Sequence, residues 1–91
     1  MNPLEKTSRP AVGPGFRLQW EPAQDCHVLL YPEGMVKLSQ SAGEIVRRCD
    51  GQCSVEAIVV ALETAFGTAG LDGEVRAFVE LAGRQRWLVW D

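Results

Sequence analysis

Residues 31–51 constrain the fold of this 91-residue chain more than any other stretch, because a turn, a strand, a helix and a stop follow one another there without a linker. Pro32 and Gly34 predict the turn, since proline fixes φ and glycine accepts positive φ. Residues 35–38 suit a half-buried strand. A strand that runs directly into a helix leaves a strand edge beside a helix face, so this stretch predicts a groove.

Two serines precede the helical part of this stretch, and each is a good N-cap residue. Ser39 directly follows the strand, whereas Ser41 has Glu44 three residues further on, which is the capping-box spacing. Apolar residues then recur at i, i+3, i+4 and i+7, the period of one helix face. They are Ala42, Ile45, Val46 and Cys49. The pattern predicts a helix over residues 40–49 that ends at Asp50-Gly51.

The rest of the chain predicts two strands before this stretch and two helices after it. Apolar and polar residues alternate over 16–20, and the apolar run over 26–31 indicates a strand at the sheet centre. Ser54 and Gly67 predict the start and end of a second helix, and Asp72 predicts the start of a third. The expected fold is therefore α+β, a three-stranded antiparallel sheet followed by three helices in a winged-helix-like arrangement.

The two ends of the chain differ in character. Residues 1–15 are rich in proline and glycine, which predicts a flexible N-terminal arm before a single domain over residues 16–91. Residues 87–90 are too apolar for a free tail in water. They could extend the third helix, pair as a short strand or dock on another chain, and this last alternative leaves a homodimer open.

Composition excludes several classes of function. Nine basic and twelve acidic residues give a net charge of −3, which argues against non-specific nucleic-acid binding. No apolar run approaches the roughly 18 to 20 residues that span a bilayer, so no membrane role is expected. The N-terminus lacks the apolar core of a signal peptide, which predicts a cytoplasmic protein.

Neither a metal site nor a catalytic set stands out. Cys49 and Cys53 are spaced C-x3-C, but the radical-SAM cluster pattern needs another cysteine where Glu56 stands. His27 is the single histidine and cannot complete a four-ligand zinc site with these thiols alone. Catalysis by a nucleophile requires an oriented base, and no such pair is visible. We therefore expect no cofactor and no enzymatic activity.

The central stretch carries a motif in four blocks, with looser similarity upstream and downstream of it, so that the resemblance covers about residues 10–89. The blocks are Pro32-Glu33-Gly34-Met35-Val36-Lys37-Leu38, Ser41-Ala42, Ile45-Val46 and Cys49-Asp50-Gly51. The motif resembles the signature of the PqqD family, the small peptide chaperones of pyrroloquinoline quinone biosynthesis. Two positions depart from the family pattern, since Ser39 stands where asparagine is more frequent and Arg86 stands where a glycine often precedes the Trp-Leu pair.

The resemblance implies a non-catalytic RiPP recognition element that binds a ribosomally made precursor peptide (PqqA-like) and presents its Glu and Tyr residues to a radical-SAM enzyme (PqqE-like). In related domains the peptide pairs with the third strand and lies against the third helix, a form of strand addition. The candidate peptide-binding residues are Met35, Val36, Lys37 and Leu38 on the strand edge, and Val75, Phe78, Val79, Ala82 and Trp87 on the groove wall.

Several alternatives remain open beside this interpretation. Lys37 could contact an acidic ligand or simply guard an edge strand against aggregation. Arg76 and Arg84 could steer an acidic peptide, and with Arg86 they would give a winged-helix DNA-binding module its recognition helix. A non-catalytic oligomerising subunit is a further alternative. If the edge binds peptide, Val36→Pro is expected to weaken binding, because proline lacks the N–H of a strand residue.

Overall fold

Five strands and three helices are present in the computed structural model, which describes residues 2–91; Met1 lies outside the described part. In chain order they are β1 (Ala11–Val12), β2 (Arg17–Glu21), β3 (Cys26–Tyr31), β4 (Gly34–Lys37), α1 (Gln40–Val46), α2 (Val55–Phe66), α3 (Asp72–Arg84) and β5 (Leu88–Val89). Strands β2, β3 and β4 form an antiparallel sheet in that order, and β1 pairs with β5. The predicted α+β fold is confirmed, and the small β1–β5 sheet is additional.

The central strand β3 is covered on both faces, as its continuous apolar run predicts. Leu29 pairs with Leu18 of β2 and Val36 of β4, and these directly opposed side chains share the face that meets the helices. Val28 lies on the other face between Gln19 and Lys37 and is still 0% exposed. The sheet therefore has an inner face against the core and an outer face on which polar and apolar side chains are mixed.

The hydrophobic core lies between the inner face of the sheet and the three helices. Each helix contributes buried side chains from one face, as the apolar spacing predicts. The buried members of the core are Leu29, Leu38, Ala42, Ile45, Val46, Cys49, Val55, Ile58, Val59, Leu62, Val75, Val79, Ala82 and Leu88. Through this core, α1 and α3 are held near the C-terminal end of β4.

Helix α1 starts at Gln40 as predicted, and its C-terminal end differs from the prediction. Ser39 is the N-cap, and its Oγ accepts a hydrogen bond from the amide of Ala42 at 3.2 Å. Ser41 lies inside the helix and forms no capping box with Glu44, whose carboxylate accepts from Arg48 at 2.8 Å. The helix ends at Val46 rather than Cys49, although Cys49 remains buried and donates to the Ile45 carbonyl.

The N-terminal segment lies across the start of α2. The carbonyls of Ser8 and Lys6 accept from the amides of Val55 and Glu56 at 2.8 and 3.0 Å. Ser54 satisfies the next two amides of the helix, so each of the first four N–H groups of α2 has an acceptor. The flexibility predicted for residues 1–15 stays a prediction. Residues 2–12 cap the start of α2, and we refer to them as the N-terminal strap.

The C-terminal segment forms a short strand, which was one of the three alternatives left open by the sequence. After α3, Arg86 adopts a φ of 65°, and the amide of Trp87 donates to the Ala82 carbonyl at 2.9 Å. The chain then turns into β5, which pairs with β1 through Ala11↔Val89 and Val12↔Leu88. The apolar end of the chain is thus paired and packed within the same molecule.

Candidate functional site

Strand β4 has one edge that pairs with no other strand of residues 2–91, and its register shows which backbone groups face outward. The Leu38 amide donates to the His27 carbonyl at 3.0 Å, and Leu38 lies opposite His27 in the register that pairs Lys37 with Val28. Hydrogen-bonded and non-hydrogen-bonded pairs alternate in an antiparallel ladder. The N–H and C=O groups of Met35 and Lys37 therefore point to the free edge, and those of Val36 point to β3.

This register corrects the choice of residue for a proline substitution. The Val36 N–H lies on the β3 side, so Val36→Pro would break the native sheet instead of testing the free edge. The side chain of Val36 is half-buried and that of Leu38 is buried, whereas Met35 and Lys37 are exposed on the outer face. Of the four predicted edge residues, Met35 and Lys37 are thus the two that can pair with an added strand.

A cavity of about 460 Å³ opens where β4 passes into α1. Its walls come from the first turns of α1, the end of α2 and the first half of α3. The lining residues are Ser39, Gln40, Ser41, Ala42, Glu44, Ile45, Leu62, Phe66, Thr68, Leu71, Glu74, Val75 and Phe78. Its size falls within the range of ligand pockets, and its apolar floor suits a large apolar side chain.

The cavity contains two of the five residues predicted for the groove wall. Val75 and Phe78 line it, whereas Val79 and Ala82 are 0% exposed inside the core. Trp87 is half-buried against the core and does not line the cavity. The apolar residues of α3 therefore line the cavity in the first half of the helix and belong to the core in the second half. Whether any of them contacts peptide stays a prediction.

Five apolar lining residues were not among the candidate peptide-binding residues derived from the sequence. They are Ala42, Ile45, Leu62, Phe66 and Leu71. Phe66 offered a signal, because an aromatic residue directly before a glycine stop stands at the end of its helix, where less of the core can cover it. It is 50% exposed. Leu71 offered none, since it lies in the short connection between α2 and α3.

The rim of the cavity carries two carboxylates, one of which is paired with arginines. A hydrogen bond from Arg48, with the charge of Arg47 also nearby, lowers the pKa of the Glu44 carboxyl, which stays ionised at neutral pH. Glu74 adds a second, exposed carboxylate. Arg76 does not stand over the cavity to steer an acidic ligand, because its guanidinium donates to the Leu4 carbonyl at 3.1 Å.

The histidine and cysteine considered for metal binding, and the Asp50 that follows α1, have structural contacts. The His27 ring packs edge-on against Trp20, with ring centroids 5.0 Å apart. Asp50 accepts hydrogen bonds from the amides of Gln52 and Cys53, which lower the pKa of its carboxyl. Burial raises the pKa of the Cys49 thiol to about 12. Within residues 2–91 no group of three or more His, Cys, Asp or Glu side chains could hold a metal ion.

The helices of the described residues are all too short or too polar to cross a bilayer.

The fold places this chain in a structural class that has been observed before. Its likeness to the solution NMR structure of the PqqD truncation of Methylobacterium extorquens PqqCD has a TM-score of 0.79 at 21% identity, and it covers 96% of this chain and 95% of that one. That structure is described as a functional, stand-alone RiPP recognition element. The class is thus a small α+β domain in which a three-stranded sheet packs against three helices.

Sequence comparison assigns the family. The family model for coenzyme PQQ synthesis protein D (PqqD) matches residues 26–88, and the chain belongs to this family. A relative from Pseudomonas aeruginosa (strain UCBPP-PA14) is 56% identical over 82 residues, 89% of each chain. Another from Stutzerimonas stutzeri (strain A1501) is 45% identical over 89 residues, 97% of each chain. Both are named PqqA binding protein, and the family predicted from the motif is confirmed.

Proposed function

We propose that this chain binds the precursor peptide PqqA in the synthesis of coenzyme PQQ and has no catalytic activity of its own. Its family and the names of its relatives support this function. The observation that carries the proposal is the free edge of β4, which leads directly into an apolar cavity. An extended peptide needs both features, because backbone hydrogen bonds supply pairing and a pocket supplies side-chain selectivity.

Binding by strand addition uses the outward backbone groups of Met35 and Lys37. Their two N–H donors and two C=O acceptors can pair with the backbone along one edge of an extended peptide. Each such bond contributes a net of roughly 0.5–1.5 kcal/mol. The paired edge is only four residues long, so an apolar peptide side chain in the cavity is needed to add affinity and to fix the register.

The other edge of the sheet is less suited to this role. Strand β2 also has a free edge, and the alternation of hydrogen-bonded pairs gives it the outward N–H groups of Leu18 and Trp20. The cavity at its end is lined by polar and charged groups, including Asp25 and Glu44. The apolar cavity beside β4 is what distinguishes the two edges.

The proposal extends to the fate of the bound peptide. The domain holds PqqA in an extended form in the cytoplasm and presents it to a radical-SAM enzyme, as the family resemblance implies. The outward amides of β4 fix the peptide backbone, so peptide residues beyond the short pairing segment stay accessible to the enzyme. A homodimer built on the apolar C-terminus stays a prediction. Within the single chain, β5 is paired with β1.

Lys37→Pro tests the edge most directly. Proline removes the outward N–H and is tolerated on an edge strand, whereas Lys37→Gln removes only the charge. We expect Lys37→Pro to weaken PqqA binding about 5- to 30-fold, which corresponds to about 1–2 kcal/mol for one lost bond and the disturbed approach of the peptide. Lys37→Gln is expected to change affinity less than threefold. The measurement is calorimetric titration with synthetic PqqA.

Equal affinities of the two folded Lys37 variants would remove β4 as the binding edge. A large loss in Lys37→Gln would instead show that the peptide reads the lysine charge.

A further inference from the structure

The C-terminal end of α3 carries a second surface that the proposed peptide site does not use. A cavity of about 670 Å³ lies there, lined by Pro14, Gly83, Arg84, Arg86, Val89 and Trp90. We refer to Arg84, Arg86 and Trp90 as the arginine surface. The Trp90 indole N–H donates to the Asn2 carbonyl at 2.9 Å, which fixes the ring in place between strand β5 and the N-terminal segment.

Arg86 occupies a backbone conformation that disfavours its side chain. Its φ of 65° lies in the left-handed region, where glycine has no steric penalty and other residues do. Helix α2 ends with the same pattern of hydrogen bonds but has Gly67 at the equivalent position, with a φ of 61°. A residue kept in a strained conformation that glycine would relieve points to a role for its side chain.

The charges around this surface favour an acidic ligand. Both ion pairs found within residues 2–91 involve Glu44 with Arg47 or Arg48, so neither Arg84 nor Arg86 belongs to one. Glu80 lines the neighbouring cavity with Arg84, and Asp91 follows Trp90, but neither forms an ion pair with the two arginines. Two guanidinium groups beside a fixed indole ring offer paired donors for carboxylates and a flat apolar surface.

The arginine surface and the proposed peptide site lie at opposite ends of one helix. Glu74 and Phe78 line the peptide cavity, whereas Gly83 and Arg84 line the second one. Arg84 lies ten residues after Glu74, which corresponds to a rise of about 15 Å along α3. A peptide bound along β4 and in the first cavity therefore leaves the arginine surface accessible.

We infer that the arginine surface docks an acidic segment of the enzyme to which the peptide is delivered. The inference rests on the proposed function, because delivery requires one domain to hold peptide and enzyme together. Two separate surfaces at the ends of α3 meet that requirement. The binding of enzyme is then expected to weaken as ionic strength rises, since the contacts are between exposed charges.

Arg86→Gly separates this role from stability. The substitution removes the guanidinium and relieves the left-handed backbone, so a loss of binding cannot be attributed to unfolding if the melting temperature is unchanged or higher. With purified radical-SAM enzyme and saturating PqqA, we expect the dissociation constant for the enzyme to rise about tenfold or more, as for a lost charge-assisted hydrogen bond. Arg86→Lys is expected to recover part of the affinity.

The matched control is Arg17→Gln, which removes an exposed arginine from the outer face of the sheet and should leave enzyme binding within twofold. The affinity for PqqA alone is measured for every variant and is expected to stay within twofold. Unchanged enzyme binding in Arg86→Gly and in Arg84→Gln would overturn the inference while leaving peptide binding intact.

Three further outcomes would also overturn the inference. A parallel loss of PqqA affinity in the arginine variants would assign this surface to the peptide. A change in the solution mass of the domain alone in these variants would assign it to a second copy of the chain. A wild-type domain that binds PqqA but not the enzyme would remove the delivery step together with this inference, whereas failure to bind PqqA would contradict the proposed function itself.

Discussion

Arg86 and Gly67 end two helices with the same hydrogen bonds at different conformational cost. In each helix the residue in the left-handed region donates to the carbonyl three residues earlier, and the next amide donates to the carbonyl five residues earlier. We expect Arg86→Gly to raise the free energy of unfolding by up to about 1 kcal/mol, less the greater freedom of glycine in the unfolded chain. Gly67→Ala is expected to lower it by about 1 kcal/mol.

Urea denaturation measures both changes. A clear loss of stability in Arg86→Gly would show that the arginine side chain makes stabilising contacts larger than the backbone penalty.

Cys49 is predicted to be the least reactive of the three thiols. Burial raises the pKa of its thiol from an ordinary 9.0 to about 12, so its thiolate fraction at pH 8 is about a thousandfold smaller. Cys26 and Cys53 are only half-buried. With iodoacetamide at pH 8, mass spectrometry should find Cys49 modified at least a hundredfold more slowly than Cys53 in the folded domain, and equally fast in urea. Similar rates in the folded state would contradict its assigned burial.

At the scale of elements, the β1–β5 sheet depends on Gly13. Its amide donates to the Trp87 carbonyl at 2.8 Å, and an added Cβ would overlap the carbonyl oxygen of Arg86. Gly13→Ala should therefore lower the free energy of unfolding by about 1–3 kcal/mol, the usual range for overpacking. Gly73→Ala, in open space within α3, is the control and should be neutral or slightly stabilising.

Hydrogen exchange of the β1 and β5 amides adds a local test of the same sheet. Protection that persists in Gly13→Ala would show that the backbone shifts to accept the methyl group at little cost.

The elements with local signals were the ones that the sequence predicted. The start of α2 at Ser54 and its end at Gly67 follow from capping chemistry within a few residues. Ser39 and Ser41 are chemically equivalent caps, so the sequence left both open, and the structure has Ser39 as the N-cap. The β1–β5 pairing joins opposite ends of the chain through two residues a side, which leaves no periodic pattern to detect.

The candidate site was predicted less completely than the fold. The motif identified the edge strand, but the direction of each backbone N–H depends on the register with β3, which a sequence of four residues does not specify. Likewise, one helical stripe of α3 supplies both cavity and core, and only tertiary packing separates Val75 from Val79. The apolar stripe predicts which face of α3 is buried, but it does not predict which part of that face lines the cavity.

At the scale of the whole molecule, α3 carries two separate surfaces, one at each end. The first half of the helix closes the cavity beside β4, and its C-terminal end carries the arginine surface. The N-terminal strap contacts both ends of this arrangement, because it caps α2, accepts a hydrogen bond from Arg76 of α3 and pairs with β5. A domain built this way can hold an extended peptide on one side while a partner approaches the other.

The most direct test of the central claim is an NMR titration of the isotope-labelled domain with synthetic PqqA. The account predicts saturable amide shifts concentrated at residues 35–38 and at the cavity residues Phe66, Glu74, Val75 and Phe78, with small changes at Arg84 and Arg86. Saturable shifts concentrated at Leu18 to Trp20 on the β2 edge would contradict the proposed site. A folded spectrum without saturable shifts would contradict peptide binding by the isolated domain.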